Sequence, residues 1–242
     1  MKAAIFRGNR QITIEERPDP CIEAPDDCIV RVMACGICGS DVHPWSAEQP
    51  PDAVMGHEAV GEVVAVGSGC TRVHPGDRVA AYAVKGCGEC AYCLRGRVTW
   101  CEDRRGSVNG GFGELLVAPE RNLLALPAWI DWMRASVLAD VLGTPMKAIR
   151  TAGVGEDDTV VVLGCGPIGL GAVLVAVARG ARVLGVDLLD YRLAMAERVG
   201  GEQVCNAVEE SAVEATKRWT GVGADFALDC TGAEGQALTA LD

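Results

Sequence analysis

A chain of 242 residues with 22 Lys and Arg against 33 Asp and Glu carries a formal net charge of −11, which repels phosphate backbones and anionic membrane surfaces and sets nucleic acid and membrane aside as partners. The length suits one large domain or two smaller ones, and 49% hydrophobic with 23% charged residues is the balance of a water-soluble globular chain. The opening stretch, "MKAAIFRGNRQITIEERPDP", meets a charged residue every few positions and lacks the apolar centre of a secretory signal; the expected address is the cytoplasm, where the 12 cysteines stay reduced.

Residues 1–127 read as one domain. The runs "AAIF", "CIVRVMA", "AVGEVVAVGSG" and "DRVAAYAV", alternating or β-branched and punctuated by Gly, Pro and Asp, predict a mostly antiparallel, barrel-like domain with long functional loops. Within it, "CGECAYCLRGRVTWC" sets Cys87, Cys90 and Cys93 in a CxxCxxC pattern, with Cys101 eight positions later. Four thiolates in one short stretch are the ligand set of a closed tetrahedral zinc site. Disulfides would need an oxidising compartment, and a thioredoxin-like CxxC would open a helix in a βαβ setting that this Gly-rich stretch lacks. A closed site leaves no coordination position for substrate, so this zinc is structural and the chemistry lies elsewhere.

Residues 128–158 read as a linking helical segment. Trp129 to Thr151 is predicted helical in one or two pieces, since Pro145 bends or breaks a single helix, and Trp129 and Trp132 are assigned to packing. Residues 159–242 alternate strands with helices, the pattern of βαβ units and a parallel sheet, with strands at Thr159 to Gly164, Arg182 to Asp187, Gln203 to Asn206 and Ala224 to Asp229. The charge-free run Val160 to Ala178 imitates a membrane span, but Gly164, Gly166, Pro167 and Gly169 divide it into strand, turn and helix. "GCGPIG", Gly164 to Gly169 with Ile168 inside it, follows a strand and opens a helix, and Asp187 ends the next strand eighteen residues on. That context makes it a dinucleotide fingerprint, with the pyrophosphate at the helix N-terminus and the carboxylate on the adenosine ribose. A carboxylate there repels a 2′-phosphate, so NAD is expected rather than NADP.

Two further segments, "ACGICGSDVHPW" and "MGHEAVGEVVAVG", hold Cys38 and His57, and they contain two of the chain's 3 histidines, His43 and His57. With GICGSDxH, GHExxGxVxxVG and the four-cysteine stretch, the chain resembles the zinc-containing medium-chain dehydrogenases, the alcohol and polyol dehydrogenase family. The resemblance runs from Lys2 to about Leu241 and implies a GroES-like catalytic domain followed by a Rossmann-type parallel sheet. It implies a catalytic zinc on Cys38 and His57, a proton relay from Ser40 to His43, and Asp41 and Glu58 behind the metal ligands. The third protein ligand falls on Asp140, four residues before Thr144, with Glu58 as the alternative. Thr144 would face the nicotinamide, and Thr231, in "DCTG", would lie near its ribose. Arg192 falls where the family often carries a basic residue beside the adenosine, although a solvated helix Arg fits it equally well. The implied activity is hydride transfer between NAD and an alcohol, polyol or aldehyde hydrate, with a small alcohol or carbonyl as partner.

The pattern also departs from the family. Pro145 and Met146 replace small and aromatic residues near the pocket, and "AWIDWMR" replaces a polar loop. Past "CTG" only "AEGQALTALD" remains, so the parallel sheet is expected to lack its last two strands. An exposed sheet edge predicts low stability or tight self-association, hence a homo-oligomer. It also opens a second reading, a shortened zinc- and nucleotide-binding protein without catalysis.

Overall fold

A computed structural model describes residues 1–104 and 106–240, and the chain divides into two compact units, Met1–Asp140 and Val141–Asp242. The first unit begins with a hairpin of β1 (Lys2–Gly8) and β2 (Gln11–Glu16). It continues through β3 (Asp27–Gly36), α1 (Val42–Ser46), β4 (Glu58–Val66), β5 (Arg78–Ala81), α2 (Ala91–Leu94), β6 (Leu115–Pro119), β7 (Leu123–Ala125) and α3 (Trp132–Ser136). Five of these strands form an antiparallel sheet in the order β6-β3-β4-β5-β7.

The alternation that marks these strands in sequence is used on both sheet faces. Ala59 and Val63 of β4 and Val79 and Ala81 of β5 join Cys28, Val30, Leu116 and Ala118 in the main core. Val60 and Ala80, one residue out of step, face the other way and pack with Ile130, Ala135 and Ala139. β3 changes register against β4 twice, between Ile29 and Val30 and between Val32 and Ala34, and its last residue, Gly36, stands opposite Glu58. Such bulges bend and twist a strand. A loop far away in sequence is fastened by Glu120: its buried carboxylate accepts the backbone N–H groups of Thr71 (2.7 Å), Arg72 and Val73 (3.1 Å).

The helical stretch is in pieces, and the break precedes Pro145. α3 is capped by Asp131, whose side chain accepts the Arg134 N–H at 2.9 Å. A π-helical turn, Leu138–Leu142, carries Asp140 and runs directly into α4 (Gly143–Ala152). Pro145 thus falls at the third residue of α4, which directly follows the π-helical turn. The two tryptophans part company. Trp132 packs under the Arg78 guanidinium at 3.9 Å, and that guanidinium also donates to the Ala128 carbonyl at 2.9 Å. Trp129, expected to pack, is 83% exposed, because the core position of this turn is taken by its neighbour Ile130.

In the second unit α4 is followed by β8 (Thr159–Leu163), α5 (Pro167–Ala178), β9 (Arg182–Asp187), α6 (Asp190–Arg198), β10 (Gln203–Asn206), α7 (Ala212–Thr220), β11 (Phe226–Asp229) and α8 (Gln236–Thr239). The four strands are parallel in the order β10-β9-β8-β11, so the switch of winding direction lies between β8 and β11. β8 is buried along its whole length, as a central parallel strand with both faces covered must be. β11 starts at Phe226 rather than Ala224. Asp225, just before it, spends its carboxylate on the Thr159 N–H (2.8 Å) and hydroxyl (2.7 Å). No helix among the described residues is long and apolar enough to cross a membrane, and the charge-free run is divided between β8 and α5 as expected.

Candidate active site

In the first unit the segment between β3 and β4, the first residue of β4 and the π-helical turn converge on one cluster. Single ligand atoms of Cys38, His57, Glu58 and Asp140 all lie within 4.8 Å of one another. Cys38 opens a 3-10 turn, Gly39–Asp41, and Asp41 closes it by accepting the Cys38 N–H at 2.9 Å. The same Asp41, 3% exposed, places its other oxygen 3.5 Å from His57 Nδ1. His57 Nε2 faces Asp140 at 3.6 Å. A carboxylate behind one ring nitrogen fixes the tautomer and aims the other, the arrangement of metal-bound histidines. Thiolate, imidazole and carboxylate together form a donor set suited to zinc.

The electrostatics match a crowded, partly dry site. The hydrogen bond to Asp140 pushes His57 up to about 9, against the opposing effect of burial and with help from Cys38 and Asp41. Burial, then the charge of Asp140, pushes Glu58 up to about 7. A buried carboxyl beside a second carboxylate is held back from ionising until a positive charge stands near it.

Ser40 and His43 lie on the rim of the same loop, both exposed, Ser40 in the 3-10 turn and His43 in α1. Tyr82, which sequence reasoning passed over, is half-buried beside the cluster, its hydroxyl raised by burial and by the charge of Asp140. Nothing in "AAYAV" marks it, since only the antiparallel pairing of β4 and β5 brings it there. Cys35 stays outside the cluster, with burial pushing its thiol up to about 12.

The four-cysteine stretch folds into a second cluster. Cys87 and Cys93 sulfurs stand 3.9 Å apart, as do those of Cys90 and Cys101. Four sulfurs about 2.3 Å from a zinc ion define a tetrahedron with edges of about 3.8 Å, so the spacing fits. Backbone N–H groups of Cys87 and Cys90 point at the sulfurs of Cys101 and Cys87, each at 3.3 Å. The N–H of Cys93 does the same for Cys90 and leads the effects that lower its thiol to about 6, favouring the thiolate that binds metal.

In the second unit the glycine turn lies at the carboxyl ends of the strands. Gly164 has φ +88°, and an added Cβ would meet Thr231 Cγ2 at 3.0 Å. A Cβ on Gly169 would stand 1.8 Å from the Gly164 carbonyl, whereas one on Gly166 would meet nothing within 4 Å. The outer glycines therefore serve the turn and helix–strand packing, and Gly166, before Pro167 at the start of α5, leaves an open face where phosphate can approach. Asp187 is 7% exposed and accepts the N–H groups of Cys165 (2.8 Å), Leu188 (2.8 Å) and Leu189 (3.0 Å). Arg192 reaches it at 3.5 Å, and Asp187, Arg192, Gly164, Gly166 and Thr231 line one cleft. Ile168 lies in the first turn of α5. Thr144, exposed in the first turn of α4, belongs to this second unit.

Comparison with known proteins gives the same architecture. Residues 24–128 match the family described as "Alcohol dehydrogenase GroES-like domain", and residues 167–242 match "Zinc-binding dehydrogenase". A sorbitol dehydrogenase of Halalkalibacterium halodurans is 34% identical over 100% of this chain and 73% of its own length. The chain belongs to the zinc-containing medium-chain dehydrogenases. Among solved structures of this family, the alcohol dehydrogenase from Thermus sp. ATN1 is similar with a TM-score of 0.91 and 34% identity, over 100% of this chain and 73% of that one. A putative zinc-binding dehydrogenase from Sinorhizobium meliloti 1021, solved with NADP, has a TM-score of 0.83 and 30% identity over 96% and 70% of the two chains. As a member, this chain is a zinc-dependent dehydrogenase of the alcohol and polyol type, with zinc and a nicotinamide dinucleotide as cofactors.

Proposed function

We propose that this chain oxidises a primary, secondary or polyhydric alcohol with NAD, and runs the reverse reduction, at the cluster of Cys38, His57 and Asp140. The observation that carries this reading is the convergence of three metal-type donors with Asp41 placed behind His57. When bound, zinc supplies a Lewis acid that lowers the pKa of a substrate hydroxyl, and the nicotinamide accepts the hydride.

The chain's own residues do the rest. Cys38, His57 and Asp140 hold the metal and leave one position open, while Asp41 holds the Cys38 backbone and orients His57. Ser40 takes the substrate hydroxyl proton and His43, three positions on and exposed, passes it to water. Cys87, Cys90, Cys93 and Cys101 hold a structural zinc. Gly166, Pro167 and Ile168 present the α5 N-terminus to the pyrophosphate. Asp187 binds the adenosine ribose with Arg192 beside it, and Thr144 and Thr231 are assigned to the nicotinamide end. NAD is favoured over NADP because a 2′-phosphate would meet the buried Asp187 carboxylate.

The domain division follows the same logic, a catalytic unit over residues 1–127, a linking segment over 128–158 and a nucleotide-binding unit from 159. A cytoplasmic homo-oligomer completes the reading. Zinc per chain and NADH formation from a panel of primary, secondary and polyol substrates test the proposal. Two zinc ions per chain, with turnover lost in Cys38→Ala, is the expected outcome. One zinc ion and no turnover on any substrate would overturn it.

A further inference from the structure

Glu58 is the fourth donor of the cluster beside Cys38, His57 and Asp140, and something must keep it from closing the coordination shell. Its carboxylate lies over Gly36, its partner across the β3–β4 pair. A Cβ on Gly36 would stand 1.9 Å from Glu58 Oε2, 3.0 Å from Cδ and 3.2 Å from its Cβ. All three contacts are with the Glu58 side chain. Gly61 on the same sheet is different, because its Cβ would strike the Arg31 carbonyl at 2.0 Å, so a substitution there must move backbone. At Gly36 the side chain of Glu58 yields first. Glu58 is 2% exposed, which denies the displaced carboxylate a route to solvent. The donors it would meet instead are those of Cys38, His57 and Asp140, already within 4.8 Å of one of its oxygens.

We propose that Gly36 is a positioning residue for the reaction: its missing side chain is the berth in which the Glu58 carboxylate rests, and that berth keeps the fourth metal position open for substrate. This rests on the reading of the cluster as a catalytic zinc site. Three protein ligands with an open position make a catalytic centre, and four make a structural one. A methyl group at position 36 therefore converts the first kind into the second by pushing Glu58 onto the metal. The signature is a pair of opposite changes, tighter metal and slower turnover, that a loosened fold would not produce.

The test compares holoenzyme with Gly36→Ala, Glu58→Ala and the double variant. Zinc affinity is read by competition with a chromophoric chelator, coordination by the visible absorption of the cobalt-exchanged protein, and turnover with one alcohol substrate. In Gly36→Ala, zinc affinity is expected to rise and kcat to fall, each on the order of tenfold, the size of effect that outer-shell changes have on metal sites. The cobalt absorption should stop responding to added alcohol. In the Glu58→Ala background, Gly36→Ala should change neither quantity, since the coupling between the two positions is then absent. If Gly36→Ala does not fold, Gly36→Ala/Glu58→Asp against Glu58→Asp carries the comparison, with the same opposite signs expected. Zinc affinity and kcat falling together, effects that persist without the Glu58 carboxylate, or no effect would each overturn the proposal. Cys38→Ser that keeps two zinc ions per chain would instead overturn the zinc reading beneath it, so the two failures are separable.

Discussion

Asp187 already accepts three backbone N–H groups before any ligand arrives, and Arg192 lies 3.5 Å from the same carboxylate. Removing the carboxylate therefore does two things. On the proposed reading the ribose loses its acceptor, and the Arg192 guanidinium is left to pair with a 2′-phosphate, for which its forked donors are suited. Asp187→Ala is expected to shift the ratio of kcat/KM for NAD over NADP toward NADP by about 10- to 100-fold, as measured with both dinucleotides on one alcohol. The melting temperature should fall with it, because buried N–H groups lose their acceptor. Asp187 was legible in the sequence, since the spacing from the glycine turn is local. Its backbone bonds were not, since they need the β8–α5 turn and the β9–α6 turn brought side by side. The same holds for Asp41. Its motif suggested a place behind the metal ligands, but only the fold shows one carboxylate serving both Cys38 and His57.

Among the elements, strands were the most readable, because a two-residue alternation or a buried β-branched run is a direct image of sheet faces. The four parallel strands were placed nearly where they stand. The helical stretch was less so: the π-helical turn at Leu138–Leu142 has no composition of its own, and Pro145 drew attention away from the break before it. Glu120 was invisible for another reason. In "APERN" it reads as a surface acid, and only the pairing of β6 with β3 hangs it over residues 71–73. Burial pushes its pKa up, and the N–H groups of Arg72, Val73 and Thr71 outweigh that and hold it below the ordinary 4.5. A lowered carboxyl pKa contributes stability that is present above about pH 4.5 and is lost as pH falls through the folded value. Glu120→Ala should cost about 1–3 kcal/mol in urea unfolding near neutrality. The gap between variant and parent should narrow on acidification below pH 4.5; a gap that stayed constant would assign the loss to packing instead.

At the scale of the whole molecule, the sequence told two architectures apart by texture, with a linking segment read at residues 128–158, whereas the structure divides into two units inside that segment, at Asp140 and Val141. The metal clusters were legible to different degrees. Cys87, Cys90, Cys93 and Cys101 announce themselves by spacing, whereas Cys38, His57 and Asp140 are scattered over a hundred residues and meet only through β3, β4 and the π-helical turn. The four-cysteine lobe has one more consequence. Its sulfurs converge only when the chain is folded, so zinc binds the native chain in preference to the unfolded one, and mass action ties the two equilibria together. Each tenfold drop in free zinc above the binding constant should then remove about 1.4 kcal/mol of apparent stability per site. A melting series in zinc–chelator buffers should give a midpoint that falls with the logarithm of free zinc and levels off once the sites empty, and Cys38→Ala should retain the part of that slope due to the lobe. In the cell, the fraction of this protein that is folded would be set by the metal buffer around it as well as by its own side chains.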